Sequence, residues 1–153
     1  MLAEVDQSGR TDQTNKVTVL ALANSLKYSV QISGSEKRKL LTTLRYLKPH
    51  WSKAYISVVI FSTLLFLLLK NHLPEMSVVV IDTEFPGYEP VIKERLLNLF
   101  LREGKSVQKE QIIFRQIGKK SPAHKLAWRV FNKMIRPSKA FSSGDVLAEI
   151  VRK

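Results

Sequence analysis

The sequence predicts an α/β domain: a mixed β-sheet of about four strands, covered by helices. Three observations carry that prediction. Ser77 to Gly87 holds four consecutive β-branched residues, Val78, Val79, Val80 and Ile81, which run into Asp82 and Glu84 before Pro86-Gly87 stops the run. An unbroken apolar run of this length, bounded by turn residues, reads as a strand buried on both faces. Lys27 to Ser33 instead alternates, with Tyr28, Val30 and Ile32 against Ser29, Gln31 and Ser33, the pattern of a half-buried antiparallel strand. Around these strands lie segments with apolar residues at helical spacing, which can cover a sheet. At 153 residues the chain fits one domain with one substantial core.

Met1 to Lys16 is polar and shows no apolar period, so residues 1–15 are expected as a flexible tail ahead of a single domain at 16–153. Val17 to Ala23 reads as the first strand, and Asn24-Ser25 as the turn of a hairpin leading into Lys27 to Ser33. Ser33 or Ser35 is placed to cap a helix, with Glu36 favoured in the first turn by the helix dipole. That helix is basic and amphipathic: Lys37, Arg38, Lys39 and Arg45 accompany Leu40, Leu41, Leu44 and Leu47, and Pro49 ends it.

A further helix is expected from about His50-Trp51. Its segment Ala54 to Leu69 contains sixteen residues without a charge. A membrane span needs about 20 apolar residues, and ~10–14 more often form a buried core helix, so the length lies between the two. Lys53 and Lys70 flank the segment without giving it an orientation, and a helix wedged against the sheet explains it as well. Glu89 to Arg102 then reads as a helix with a stripe of Val91, Ile92, Leu96, Leu99 and Phe100, stopped by Gly104. Gln111 to Gln116 is a short strand. Gly118-Lys119-Lys120-Ser121-Pro122 is a basic loop, with Ser121 as N-cap and Pro122 at the first position of a helix carrying His124, Lys125, Trp128 and Arg129. Pro137 marks a break, and Ser143 to Lys153 is a last amphipathic helix.

The formal charge of +12 is far from ordinary and makes a polyanion the natural partner, nucleic acid before an anionic membrane surface. Absence of cysteine excludes a disulfide scaffold, a thiolate metal site and a cysteine nucleophile. With no basic-then-apolar leader at the start, a cytoplasmic protein is expected. The acids are unevenly spread. Lys37 to Pro74 and Gln111 to Gly144 contain none, while Glu75, Asp82, Glu84, Glu89, Glu94, Glu103 and Glu110 lie between them.

Carboxylates at the end of a buried strand sit at the carboxyl edge of the sheet, where open α/β sheets place their chemistry. Asp82 and Glu84, two apart, would share one face of a continuing strand; alternatively Asp82 caps the strand and Glu84 is solvated. An acidic strand end among basic helices suits Mg²⁺ or Mn²⁺ facing a phosphate backbone. Histidine is the residue type whose unperturbed side chain changes charge near neutrality, and His124 stands in the first turn of its helix. Lys119, Lys120 and the N–H groups of that helix start could cradle a phosphate, although the spacing is not that of a P-loop.

The element order, together with Val80-Ile81-Asp82-Thr83-Glu84 and Ser121-Pro122-Ala123-His124-Lys125-Leu126-Ala127, resembles the ribonuclease H-like superfamily of nucleases, Holliday-junction resolvases and transposases. The likeness covers about Val17 to Asn132. The Asp82 to Gly87 and Gly118 to His124 blocks look like those of uncharacterised archaeal proteins of this type. Such enzymes hold two metals with an acid on the first strand, one on the first helix, one ending the central strand, and an acid or His on the last helix. The resemblance implies that Asp82 fills the third place, His124 the fourth and Glu36 the second. At the first place the chain departs: the strand Val17 to Ala23 has no acid and Asn24 stands there, so the site is degenerate, altered or built otherwise. A third strand of the opening meander is also unrecognised.

The expected function is a metal-dependent nuclease or resolvase-like protein. Asp82, Glu84, His124 and Glu36 would be catalytic, with Asp82, Glu84 and Asn24 at the Mg²⁺ or Mn²⁺. Lys119, Lys120, Lys125, Arg129, Lys37 and Arg38 would contact nucleic acid. Two alternatives stand beside it: a basic nucleic-acid-binding module without catalysis, and a small membrane protein anchored by residues 54–69. A homodimer is compatible with any of these.

Overall fold

The computed structural model describes residues 2–24, 26–73 and 76–152. Ser25 of the expected hairpin turn and Glu75 of the acidic middle segment lie outside them. The described residues form an α/β fold with strands β1 (Leu2–Ser8), β2 (Thr18–Ala23), β3 (Lys27–Ile32), β4 (Val78–Ile81), β5 (Ile112–Phe114) and β6 (Lys139–Phe141). The helices are α1 (Gly34–Leu47), α2 (Lys53–Leu69), α3 (Glu89–Arg102), α4 (Pro122–Phe131) and α5 (Ser143–Val151). One mixed sheet of six strands, rather than about four, has the order β5-β4-β1-β2-β3-β6. β2 pairs antiparallel with both β1 and β3, and every other pairing is parallel, so β2 alone runs against the rest.

Alternation along each strand sorts the side chains onto two faces. Ala3 and Val5 of β1, Leu20 and Leu22 of β2, Val30 and Ile32 of β3, and Val79 and Ile81 of β4 enter the main core. There α2 packs on β2 and β3, with α3 and α5 against it and α1 beside α5. Val19 and Ala21 face the other way, onto Ala127 and Val130 of α4. Both faces of β2 are therefore covered, which is why Thr18–Ala23 reads as a nearly continuous apolar run.

The segment Ala54 to Leu69 is a core helix. Every residue of α2 from Ile56 to Leu69 is buried, and the hydroxyls of Ser62 and Thr63 donate to the Val58 and Val59 carbonyls, each at 2.8 Å. A helix covered all round needs no polar stripe. Among the described residues, no helix is long and apolar enough to cross a membrane.

The expected tail is a correction. Leu2–Ser8 is the third strand of the meander and lies inside the sheet, between β4 and β2. Its polar side chains disguise it, because Glu4 and Asp6 find partners on α4 and its N-cap rather than in water. The loop that follows is also fixed. Gly9 has φ +77, and a Cβ there would collide with the Val17 carbonyl oxygen, so the turn requires glycine. Thr11 Oγ1 donates to the Ser57 carbonyl of α2 at 3.0 Å. Lys37 reaches back from α1 to the Arg10 and Gln13 carbonyls and to Thr18 Oγ1.

Candidate functional site

β1 and β4 are parallel neighbours in a register that sets Val5 against Ile81. The next residues along the two strands are Asp6 and Asp82, and the Asp82 N–H donates to the Val5 carbonyl at 2.9 Å. Two aspartates are thus side by side at the carboxyl edge of the sheet. Since Val5 and Ile81 point into the main core, alternation turns both aspartates toward the face that carries α4. The strand stops at Ile81, yet the turn that follows brings Glu84 back to the pair. Carboxylate oxygens of Asp6, Asp82 and Glu84 all lie within 4.8 Å of one another.

α4 supplies the fourth group. Ser121 caps the helix, its Oγ accepting the Ala123 N–H, and that hydroxyl also donates to Glu4 Oε1 at 2.8 Å. Ala123, Ala127 and Val130, at i, i+4 and i+7, form the buried face; the two alanines let the helix lie close to β1 and β2. His124 is thereby set over β1, with Nδ1 at 2.7 Å from Asp6 Oδ2. An ionised Asp6 can only accept, so Nδ1 carries the hydrogen; the neutral imidazole in this arrangement has its lone pair on Nε2. The other Asp6 oxygen accepts the Gln7 N–H at 2.8 Å, and Asp82 Oδ1 accepts the Ile117 N–H at 2.8 Å.

The electrostatics are those of crowded carboxylates. Burial pushes Asp6 above the ordinary carboxylate range, partly offset by the Gln7 and His124 hydrogen bonds. Glu84 is pushed up to about 8, first by burial, then by its hydrogen bond to Asp82 and by the charges of Asp82 and Asp6. Arg10 is near, but it donates to the Glu84 backbone carbonyl at 3.0 Å and pairs with Asp12 at 3.1 Å. Among the described residues, no Lys or Arg forms an ion pair with any of the three acids, and His124 is the basic side chain in hydrogen-bond contact with one of them. Three hard oxygen donors with excess negative charge and little internal neutralisation fit Mg²⁺ or Mn²⁺ by the chemistry of the set. Beside Glu84, a cleft of about 500 Å³ opens between Arg10, Lys53, Phe85 and Tyr88.

Of the residues singled out from sequence, Asp82, Glu84 and His124 come together here. Asn24 does not. β2 runs antiparallel, so Ala23 pairs with Glu4 toward the start of β1, and Asn24 lies at the opposite edge of the sheet from the carboxylates. Its Oδ1 accepts the Leu26 N–H at 2.8 Å, shaping the β2–β3 turn. Glu36 is also elsewhere: it pairs with Lys39 at 2.8 Å and accepts the Ser143 N–H at 2.8 Å, and these bonds, Lys39 first, hold it below the usual range. Lys37 is fully buried on three oxygens and offers nothing to a phosphate, and burial lowers its ammonium to about 8. Arg38 is exposed but donates to the Thr14 carbonyl at 2.6 Å. Lys119, Lys120, Lys125 and Arg129 are exposed on α4 and the loop before it.

Asp6 is the site residue that the sequence alone did not reveal. The signal was present in Ala3-Glu4-Val5-Asp6, where apolar and acidic residues alternate, but two apolar positions are too few to outweigh a polar surrounding. No family model, curated protein or solved structure matches the chain.

Proposed function

We propose that this chain is a metal-dependent nuclease of ribonuclease H-like type. The observation that carries the reading is Asp6 beside Asp82 on adjacent parallel strands, closed by Glu84 and His124. It supports the pattern implied by the sequence resemblance better than the sequence did, because the first-strand acid is Asp6 and the strand with Asn24 is the second. The place assigned to the first helix is not taken by Glu36; Glu84 supplies the third carboxylate instead.

A bound divalent ion would supply activation of water and stabilisation of the leaving oxygen in phosphodiester cleavage. Asp6, Asp82 and Glu84 would hold it. His124, kept in one tautomer by Asp6, presents Nε2 to take or return a proton. Lys119, Lys120 and the start of α4 would hold a flanking phosphate.

Calorimetric titration with Mn²⁺ tests this directly. The wild type and Asn24→Asp should bind alike, since Asn24 is at the far edge. Asp6→Asn and Asp82→Asn should each lose most of the binding heat and all cleavage while still retaining nucleic acid. A wild type that takes up neither Mn²⁺ nor Mg²⁺ would leave a nucleic-acid-binding module without catalysis.

A further inference from the structure

Trp128 stands on the outer face of α4 with 51% of its surface exposed, and among the described residues no aromatic ring packs on it. Single exposed apolar residues are commonplace, but the position of this one is not. It lies four residues after His124, one turn along the same helix, at a rise of about 6 Å. His124, Lys125, Trp128 and Arg129 together line a shallow depression of about 280 Å³. The segment from Gln111 to Gly144 carries eight Lys and Arg and no acid, and two of those cations, Lys125 and Arg129, line the depression with the indole. One hydrogen bond, from His124 to Asp6, joins this depression to the carboxylates.

An exposed indole between cations suits a nucleic-acid base between phosphates. Aromatic faces stack on bases, and Lys and Arg meet the backbone. A paired base in a continuous duplex has both faces covered by its neighbours and cannot offer one to an indole, whereas an unpaired base can. We infer that Trp128 is a stacking platform for an unpaired nucleotide, with Lys125 and Arg129 on its flanking phosphates, so that the substrate is single-stranded or contains an unpaired junction. The inference rests on the nuclease reading for its purpose, because it places the unpaired nucleotide next to the carboxylates, but its test needs no metal.

The chain has two tryptophans, and Trp51→Phe leaves Trp128 as the only indole. This protein, as the whole chain and in EDTA, is titrated at low salt with a short oligothymidylate and with a long duplex matched in nucleotide concentration, so that its end bases are a negligible fraction, following indole fluorescence. Oligothymidylate should quench Trp128 and the duplex should not. In the wild-type background, Trp128→Ala should weaken oligothymidylate binding roughly tenfold, the effect of losing one stacked base, and leave duplex binding unchanged. Trp128→Phe should restore most of it, which a merely structural change would not do. Equal oligothymidylate affinity in wild type and Trp128→Ala, or equal quenching by duplex, overturns the inference. If the proteins stack oligothymidylate but take up no Mn²⁺, the platform stands and the nuclease reading falls. If Mn²⁺ binds and Trp128 is silent, the reverse holds.

Discussion

A carboxyl group sharing a half-buried site with two others resists ionisation, and Glu84 is the clearest case in this molecule. Its folded value of about 8 lies above the ordinary 4.5 it takes up on unfolding. Between those values the folded chain binds more protons than the unfolded one, so this group's contribution to stability is complete below pH 4.5 and lost as pH rises through 8. Metal-free protein should therefore show a melting temperature that declines over this window, and Glu84→Gln should flatten the decline. Added Mn²⁺ should raise the melting temperature of the wild type most at the alkaline end, where Glu84 is free to ionise. Thermal melts of both proteins across the window, with and without Mn²⁺, check this. Identical pH profiles for the two would mean that Glu84 is not held as described.

Elements that bury a continuous apolar surface were legible from the sequence; those that bury polar groups were not. β4, α3 and α4 lie close to where apolar periodicity, Ser121-Pro122 and the Pro86-Gly87 stop put them. β1 was hidden because Glu4 and Asp6 are satisfied by Ser121 and His124, partners more than a hundred residues away that no local pattern can announce. β6 was hidden for another reason: Lys139–Phe141 is an edge strand with exposed Lys139 and Ala140, so it lacks the apolar run that Ile112-Ile113-Phe114 gives the equally short β5. The same blindness misplaced Asn24, since without β1 the second strand was taken as the first. α2 was ambiguous by length alone, and its burial settles what it is for. Leu64 is fully buried at its centre, in the core shared by the sheet and α3. Leu64→Ala should therefore cost about 2–5 kcal/mol, the range for a truncated core leucine, in urea denaturation. A loss of only a few tenths would contradict a helix buried on every side.

At the scale of the whole molecule, the sheet is two sets of strands joined through β1. β5 and β4 lie on one side, and β2, β3 and β6 on the other. β1 pairs with β2 over five residues and with β4 over four, and it carries Ala3 and Val5 into the main core. The loop after it is clamped to α1 by Lys37, on the Arg10 and Gln13 carbonyls, and to α2 by Thr11. Removing residues 2–15 would leave two facing sheet edges with unpaired N–H and C=O groups, and Lys37 with only Thr18 of its three oxygens. Buried unpaired groups of this kind each cost about 1–3 kcal/mol, and only a few are needed to exceed a stability of roughly 5–15 kcal/mol. The shortened chain should show no cooperative thermal transition by circular dichroism and no Mn²⁺ binding, since Asp6 goes with the strand. A dispensable tail would give the opposite result, an unchanged transition. Asp6→Asn separates the two losses: it should keep the transition and lose only the metal, because the strand stays in place while its carboxylate does not.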